Sequence, residues 1–387
     1  MATSLVWVPE ALRYGQDAVS GAEVEQLTSE PVTSTNIYCE QRYASADGTR
    51  IAIERRPFGR PVELWVCDLR SLRLCRAAEG TPVGANSALD AVYYLAADGG
   101  GSRLMRLDLK DISSRELFRF DGPPPSSAAV SPDERWLVTG PYPLRDNVFG
   151  LHRVELASGR ACALCEAEDM FNPHLQFDPG QGRLSIVQIN RGGRVNLATG
   201  GLSLTGPVGA TLRALDVESG ELIPLPIGRP HTPPISGHEC WAGKSGRLLF
   251  TAAQYTMTAS AHVTLKAPPD EERDMPPAAI YSVAPGETSA RVVARGLLFN
   301  HLAASDDGRF FIADDHATGH IYIGSVATGR YLPLCGSGTR QGACQHSHVH
   351  AYLTPDNRHV VFNSLVTGVA QVYAASVPDG FLEQVST

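Results

Sequence analysis

At 387 residues the chain exceeds the size at which one compact hydrophobic core stops growing, which calls for several domains or a repeat architecture. With 37 Gly, 27 Pro, 19% charged residues and no long Ala/Glu/Lys/Leu-rich amphipathic run, the composition excludes a helical bundle and points to an all-β protein. A net charge of -8 excludes the basic face that nucleic-acid binding needs, while a small acidic ligand can still be met by local positive charge, a bound metal included.

The first residues, MATSLVWVPEALRYGQDAVSG, lack a basic region followed by an apolar stretch, and nowhere do 18 apolar residues run together. A soluble, unsecreted, cytoplasmic protein without a membrane partner is expected. Next comes DAVSGAEVEQLT (17–28), which reads as the closing turn and outer strand of a repeat although it precedes the first full repeat. It is expected to join the last repeat and close a ring, whose strand edges would otherwise be unpaired.

From there a tight polar turn followed by Arg and a short apolar strand recurs: DGTRIAI (47–53), PDERWLV (132–138), GQGRLSI (180–186), KSGRLLF (244–250), DDGRFFI (306–312) and PDNRHVVF (355–362), with ALDAVYYL (88–95) in the gap after the first. A second turn closes each unit, at DLRSLRL (68), DLKDISS (108), ELASGR (155), DVESGE (216), SVAPGE (282), SVATGR (325) and SVPDGF (376). Both series count to seven, and two hairpin turns per unit imply four short antiparallel strands. The pattern predicts a seven-bladed β-propeller, one domain over residues 1–387, its ring closed by the N-terminal strand. Two units are longer, through insertions at 190–209 and 264–277 that are rich in Gly, Pro or charge and show no strand periodicity. These read as loops over one face.

The eight cysteines are scattered, without a secretory signature, and reduced thiols are expected. Cys162 and Cys165 form a C-x-x-C with no second pair to complete a zinc site, which suggests a structural or incidental role.

The chemistry collects just before the polar turns, on the innermost strands that line a propeller's channel. His348 and His350 lie two apart there and, if already on the strand, share a side. His301 holds the same station one blade earlier, and Gln345 can join from the bend leading in. Three imidazoles and an amide oxygen suit Mn²⁺, Fe²⁺, Co²⁺, Ni²⁺ or Zn²⁺, and not Ca²⁺ or Mg²⁺. Polar channel residues bonded to one another and to water are the alternative. His346 has the other parity and reads as solvated. His238, one blade before His301, is open as a ligand, a base or a packed residue, and an imidazole is a usable base at neutral pH. His174, one blade further back, reads as a substrate contact or filler.

GHECWAGKSGRLLF, NHLAASDDGRFFIADD and QHSHVHAYLTPDNRHVVF, with GQDAVSGAEVEQLT at the start and SRLMRLDL in the second unit, resemble the oligogalacturonate lyase family of cytoplasmic pectin-degrading enzymes, over nearly the whole chain. The resemblance implies a Mn²⁺-type ion held by His301, Gln345, His348 and His350, with His238 as the proton-abstracting base. It implies β-elimination of short oligogalacturonides or related uronate disaccharides to unsaturated or 4-deoxy-5-keto uronates. Where the family carries further His and Arg side chains for substrate, this chain has IVQINRGGRVNLATGG, leaving Arg191, Arg194 and Arg213 as candidates beside His174. A non-catalytic TolB-like propeller scaffold and a metal-dependent glycoside hydrolase are the alternatives. Neither an obligate protein partner nor a nucleic acid is indicated.

Overall fold

The computed structural model describes residues 5–122, 124–196, 201–203, 206, 208–257, 263–265, 275–339 and 344–387. The protein is a seven-bladed β-propeller, each blade an antiparallel sheet of four or five strands. In the first blade the strands Thr33–Thr35, Arg50–Arg56, Glu63–Asp68 and Arg73–Glu79 follow one another outward. The same order recurs in the sixth, through Phe299–Ala304, Phe310–Asp315, His320–Ser325 and Tyr331–Gly336.

The recurring turn has a physical cause. A Ser or Thr hydroxyl donates to an Asp two residues on and accepts the N–H of the residue that opens the second strand. Ser45 does so with Asp47 and Arg50, Ser131 with Asp133 and Trp136, Ser305 with Asp307 and Phe310, Thr354 with Asp356 and His359. Such side-chain bonds fix a tight turn locally and set strand register. All seven turn-and-strand segments read from the sequence supply the second strand of a blade.

Two compact units make up the chain. One holds the residues up to Pro124 and those from Asn300 onward, and thus the first, second, sixth and seventh blades. Its core includes the fully buried Ile51, Leu64, Ile312, Tyr352 and Phe362, with Phe362 stacked on Tyr373. The other unit, Pro125–Thr258 with Val263–Phe299, holds the third to fifth blades around two clusters, one centred on Val138, Leu151 and Val187 and one on Ile186, Phe250 and Tyr281. Burying each of these large side chains contributes about 1.5–3 kcal/mol.

The seventh blade joins an early and a late segment of the chain. Its strands Tyr352–Leu353, His359–Ser364 and Gln371–Ser376 are completed by Glu23–Gln26, with Val24 opposite Ala375. A fifth strand, Leu12–Gln16, adds outside it, and Val8–Pro9 adds a fifth strand to the first blade. Neither fifth strand is marked by the repeat. After SVPDGF the chain turns into a short helix, Phe381–Ser386, since the outer position is already filled by Glu23–Gln26.

The 190–209 insertion departs from the expectation of a loop without strands. Arg194–Asn196 pairs with Gly201–Ser203 as a small hairpin, and Tyr255–Met257 pairs with Val263–Leu265, just ahead of and into the second insertion. Three-residue strands are too short for alternation to register in a sequence. Residues 197–200 and 266–274 lie outside the described residues.

Candidate metal centre

His301 sits in the middle of Phe299–Ala304, the innermost strand of the sixth blade, and is almost wholly buried. Asp314, on the adjacent strand Phe310–Asp315, accepts from the His301 backbone N–H at 2.9 Å and meets its ring Nδ1 at 2.9 Å. A carboxylate at Nδ1 keeps the proton on that nitrogen, and the lone pair is left on Nε2. Nε2 lies 3.2 Å from Nδ1 of His348. The His350 ring meets that of His301 edge to face, with centroids 4.6 Å apart. One nitrogen from each of the three rings falls within 4.8 Å of the others.

The route by which His348 and His350 arrive differs from the strand expectation. Neither is on a strand: Gln345–Ser347 forms one turn of 3-10 helix, His348 caps it, and the strand begins only at Tyr352. His350 adopts a left-handed backbone (φ 42°), so same-side strand parity is not what aligns the pair. Two fully buried asparagines hold this bend. Asn363 donates from Nδ2 to the His348 carbonyl at 2.9 Å, and Asn36 donates from Nδ2 to the His350 carbonyl at 2.6 Å. The asparagines are joined by the Asn36 N–H, which donates to Asn363 Oδ1 at 2.8 Å. Beyond Asn36, Ile37 takes φ 76°, a position a β-branched residue rarely occupies, and the Tyr38 ring packs 4.3 Å from that of His350. Outliers of this kind cost about 1–3 kcal/mol each and persist where the surroundings over-determine them.

Gln345 is exposed on the 3-10 turn, next to the equally exposed His346. The three imidazoles fit a transition ion. Metal–nitrogen bonds of about 2.0–2.1 Å set neighbouring donors about 3 Å apart, and the His301–His348 separation already has that value. Asp314 stands where an outer carboxylate would fix the His301 ring as a ligand.

In the other unit, His238 is half-buried on the inner strand of the fifth blade, Ile235–Trp241, at the register shift between Ile235 and Glu239. Its carbonyl accepts from Thr251 Oγ1 at 3.4 Å. His174 is on the turn before Gln176–Phe177, left-handed (φ 48°), with Nδ1 3.1 Å from Oε1 of Glu239 and Nε2 3.0 Å from the Asn172 amide. Gln176 donates to the Glu239 carbonyl and Trp241 Nε1 donates to the Gln176 carbonyl, so the fourth and fifth blades are stitched together at this point.

The arginine candidates separate. Arg191 spends its guanidinium on the carbonyls of Gly209, Arg229, Val208 and Ala210, and burial holds its pKa below the ordinary arginine value. Its bonds hold the inserted segment in place. Arg194 is exposed on the small hairpin, and Arg213 is half-buried on Thr211–Asp216. Asp314, Asn36, Asn363 and Tyr38 are missed by the sequence reading. Of these only Asp314 leaves a trace, as the first of two acids ending an otherwise apolar second strand. All eight cysteines are free thiols, and burial pushes that of Cys165 up to about 11.

No known protein-family profile matches the chain. It is similar to the oligogalacturonate lyase of Dickeya dadantii, 22% identical over 94% of this chain and 95% of that protein, and to the oligogalacturonide lyase of Pectobacterium atrosepticum, 22% identical over 96% and 97%. Among solved structures, an oligogalacturonate lyase in complex with manganese superposes with a TM-score of 0.69, at 19% identity and 97% coverage of both chains. The oligogalacturonate lyase of Vibrio parahaemolyticus gives 0.69 at 15% identity, covering 98% of this chain and all of the other. In sequence and in fold, over nearly its whole length, the chain resembles the oligogalacturonate lyases.

Proposed function

We propose that the chain is a metal-dependent lyase that cleaves short oligogalacturonides by β-elimination, in the cytoplasm, as a step in pectin breakdown. The observation that carries this reading is the convergence of His301, His348 and His350, with the His301 lone pair turned inward by Asp314. His301, His348 and His350, joined by Gln345 from its turn, would hold a divalent ion, with Mn²⁺ first and Ni²⁺, Co²⁺, Zn²⁺ or Fe²⁺ as substitutes. Bound by neutral ligands, the ion would offset the substrate carboxylate's charge and so acidify the neighbouring C5–H.

The remaining work falls to side chains. His238 takes the C5 proton, and the electron pair left behind forms the C4=C5 double bond as the C4–O bond breaks. Arg194, exposed on its hairpin, and Arg213 would meet further carboxylates of the chain of sugars. The products are an unsaturated uronate, which tautomerises to the 4-deoxy-5-keto form, and a shortened or single galacturonate.

Purified protein loaded with Mn²⁺ and given trigalacturonate is expected to generate the ultraviolet absorbance of a conjugated uronate. Release of reducing sugar without that absorbance would make it a hydrolase, and full activity after exhaustive chelation would remove the metal. His238→Ala should retain the metal and lose turnover by about 100-fold or more, as loss of a general base does. If it loses the metal instead, His238 is a ligand.

A further inference from the structure

A galacturonide poses a stereochemical problem for one base acting alone. Its C5–H and C4–O bonds are both axial and lie on opposite faces of the ring. A base that reaches the C5 proton therefore stands across the sugar from the departing oxygen, which needs a proton of its own. We propose that His174 is the acid that supplies it, with Glu239 as the residue that charges and aims it. This rests on the lyase reading above.

Three features of the pair support the assignment. The Glu239 side chain is fully buried, with Oε1 against His174 Nδ1 and no hydrogen-bond donor for Oε2 among the described residues. A carboxylate taken out of water needs a counter-charge, and an imidazolium at 3.1 Å provides it. The far nitrogen, Nε2, meets Asn172 at 3.0 Å. An amide can donate to a bare ring nitrogen and, turned over, accept from a protonated one, so the same partner serves both states of a ring that gives up and regains a proton. The His174 side chain also keeps 19% of its surface exposed, whereas the carboxylate behind it keeps none. The proton is thus held from the dry side and offered from the wet one.

The chain joins acid to base. Glu239 directly follows His238, so one peptide links the proposed base to the carboxylate that orients the proposed acid. The two imidazoles nevertheless come from different blades, His238 from the fifth and His174 from the turn that opens the fourth. In the balanced step the C5 proton passes to His238, the C–H pair becomes the double bond, and the C4–O pair stays on oxygen. Oxygen takes the Nε2 proton of His174, which recovers one from water.

The test uses two substrates that differ only in how badly the leaving oxygen needs a proton: trigalacturonate, and a galacturonide whose O4 carries a nitrophenyl group and leaves as a stable anion. With the Mn²⁺-loaded wild type both should be cleaved. His174→Gln should lower kcat on trigalacturonate by about 100-fold or more, the ordinary contribution of a general acid, while changing the nitrophenyl ether by less than about 3-fold. Glu239→Gln keeps the shape of the site and should show the same selective loss, smaller in size, with metal content unchanged in both variants. Equal losses on the two substrates, or none on either, would overturn the acid and leave a structural pair. A wild type that cleaves neither substrate would instead sink the lyase reading, and the acid with it.

Discussion

In the sixth and seventh blades three imidazoles face one another, and the carboxylate of Asp314 stands behind one of them, His301. In the fourth and fifth a single imidazole, His174, faces a carboxylate directly and meets an amide on its other side. The same two residue types do opposite things because of where the acid sits. Behind a ring that faces other rings, it fixes the tautomer and leaves lone pairs pointing at a common centre, which favours a cation. At His174 the carboxylate and the amide instead occupy both ring nitrogens. Histidine content alone therefore does not distinguish the two clusters; the second neighbour of each ring does.

The largest break in that contrast should come from His348→Ala or His301→Ala. Each should remove bound metal in elemental analysis and abolish turnover, with a loss of affinity beyond the roughly 10–100-fold that an outer-shell substitution costs. Asp314→Asn should fall inside that 10–100-fold range in a metal titration, because the ring remains but its orientation and basicity are no longer fixed. If Asp314→Asn binds metal as tightly as wild type, the carboxylate is not what prepares the site. Asn36→Ala leaves the His350 carbonyl without its buried side-chain donor while keeping the backbone N–H that bonds Asn363, and should lower stability to denaturant by about 1–3 kcal/mol while weakening metal several-fold. His346→Ala is the smallest case. Exposed on the 3-10 turn, it should leave metal content and kcat unchanged, and a loss of metal there would mean the wrong imidazole has been assigned.

The sequence made the blades legible because a local polar turn recurs ahead of an apolar strand; in the first, third, sixth and seventh blades it is Ser or Thr two residues before Asp, whose bonds close within five or six residues. The fifth strands were not, since Leu12–Gln16 is short and largely exposed and carries no repeat of that turn. At the site, the stations of His301, His348 and His350 could be read from spacing between blades. Their final geometry could not, because it depends on partners far away in the chain. The Asn36–Asn363 bond spans most of the sequence, and the bend at His350 is a backbone state that no residue pattern signals. The Glu239–His174 pair was hidden in the same way: His238 drew attention to the segment, while the glutamate beside it reads as an ordinary strand residue until its carboxylate is seen to be wholly buried.

The order in which the chain is made gives the seventh blade a further meaning. Glu23–Gln26 leaves the ribosome long before its partner Gln371–Ser376, so Val24 waits for Ala375. Asn36, which holds His350, is likewise translated early and waits for its ligand. The candidate metal cluster and the sheet beside it are thus completed only once the strands of the seventh blade have been made. A chain stopped short of Gln371 would lack the strand that engages Glu23–Gln26, and the seventh blade would stay open on that side.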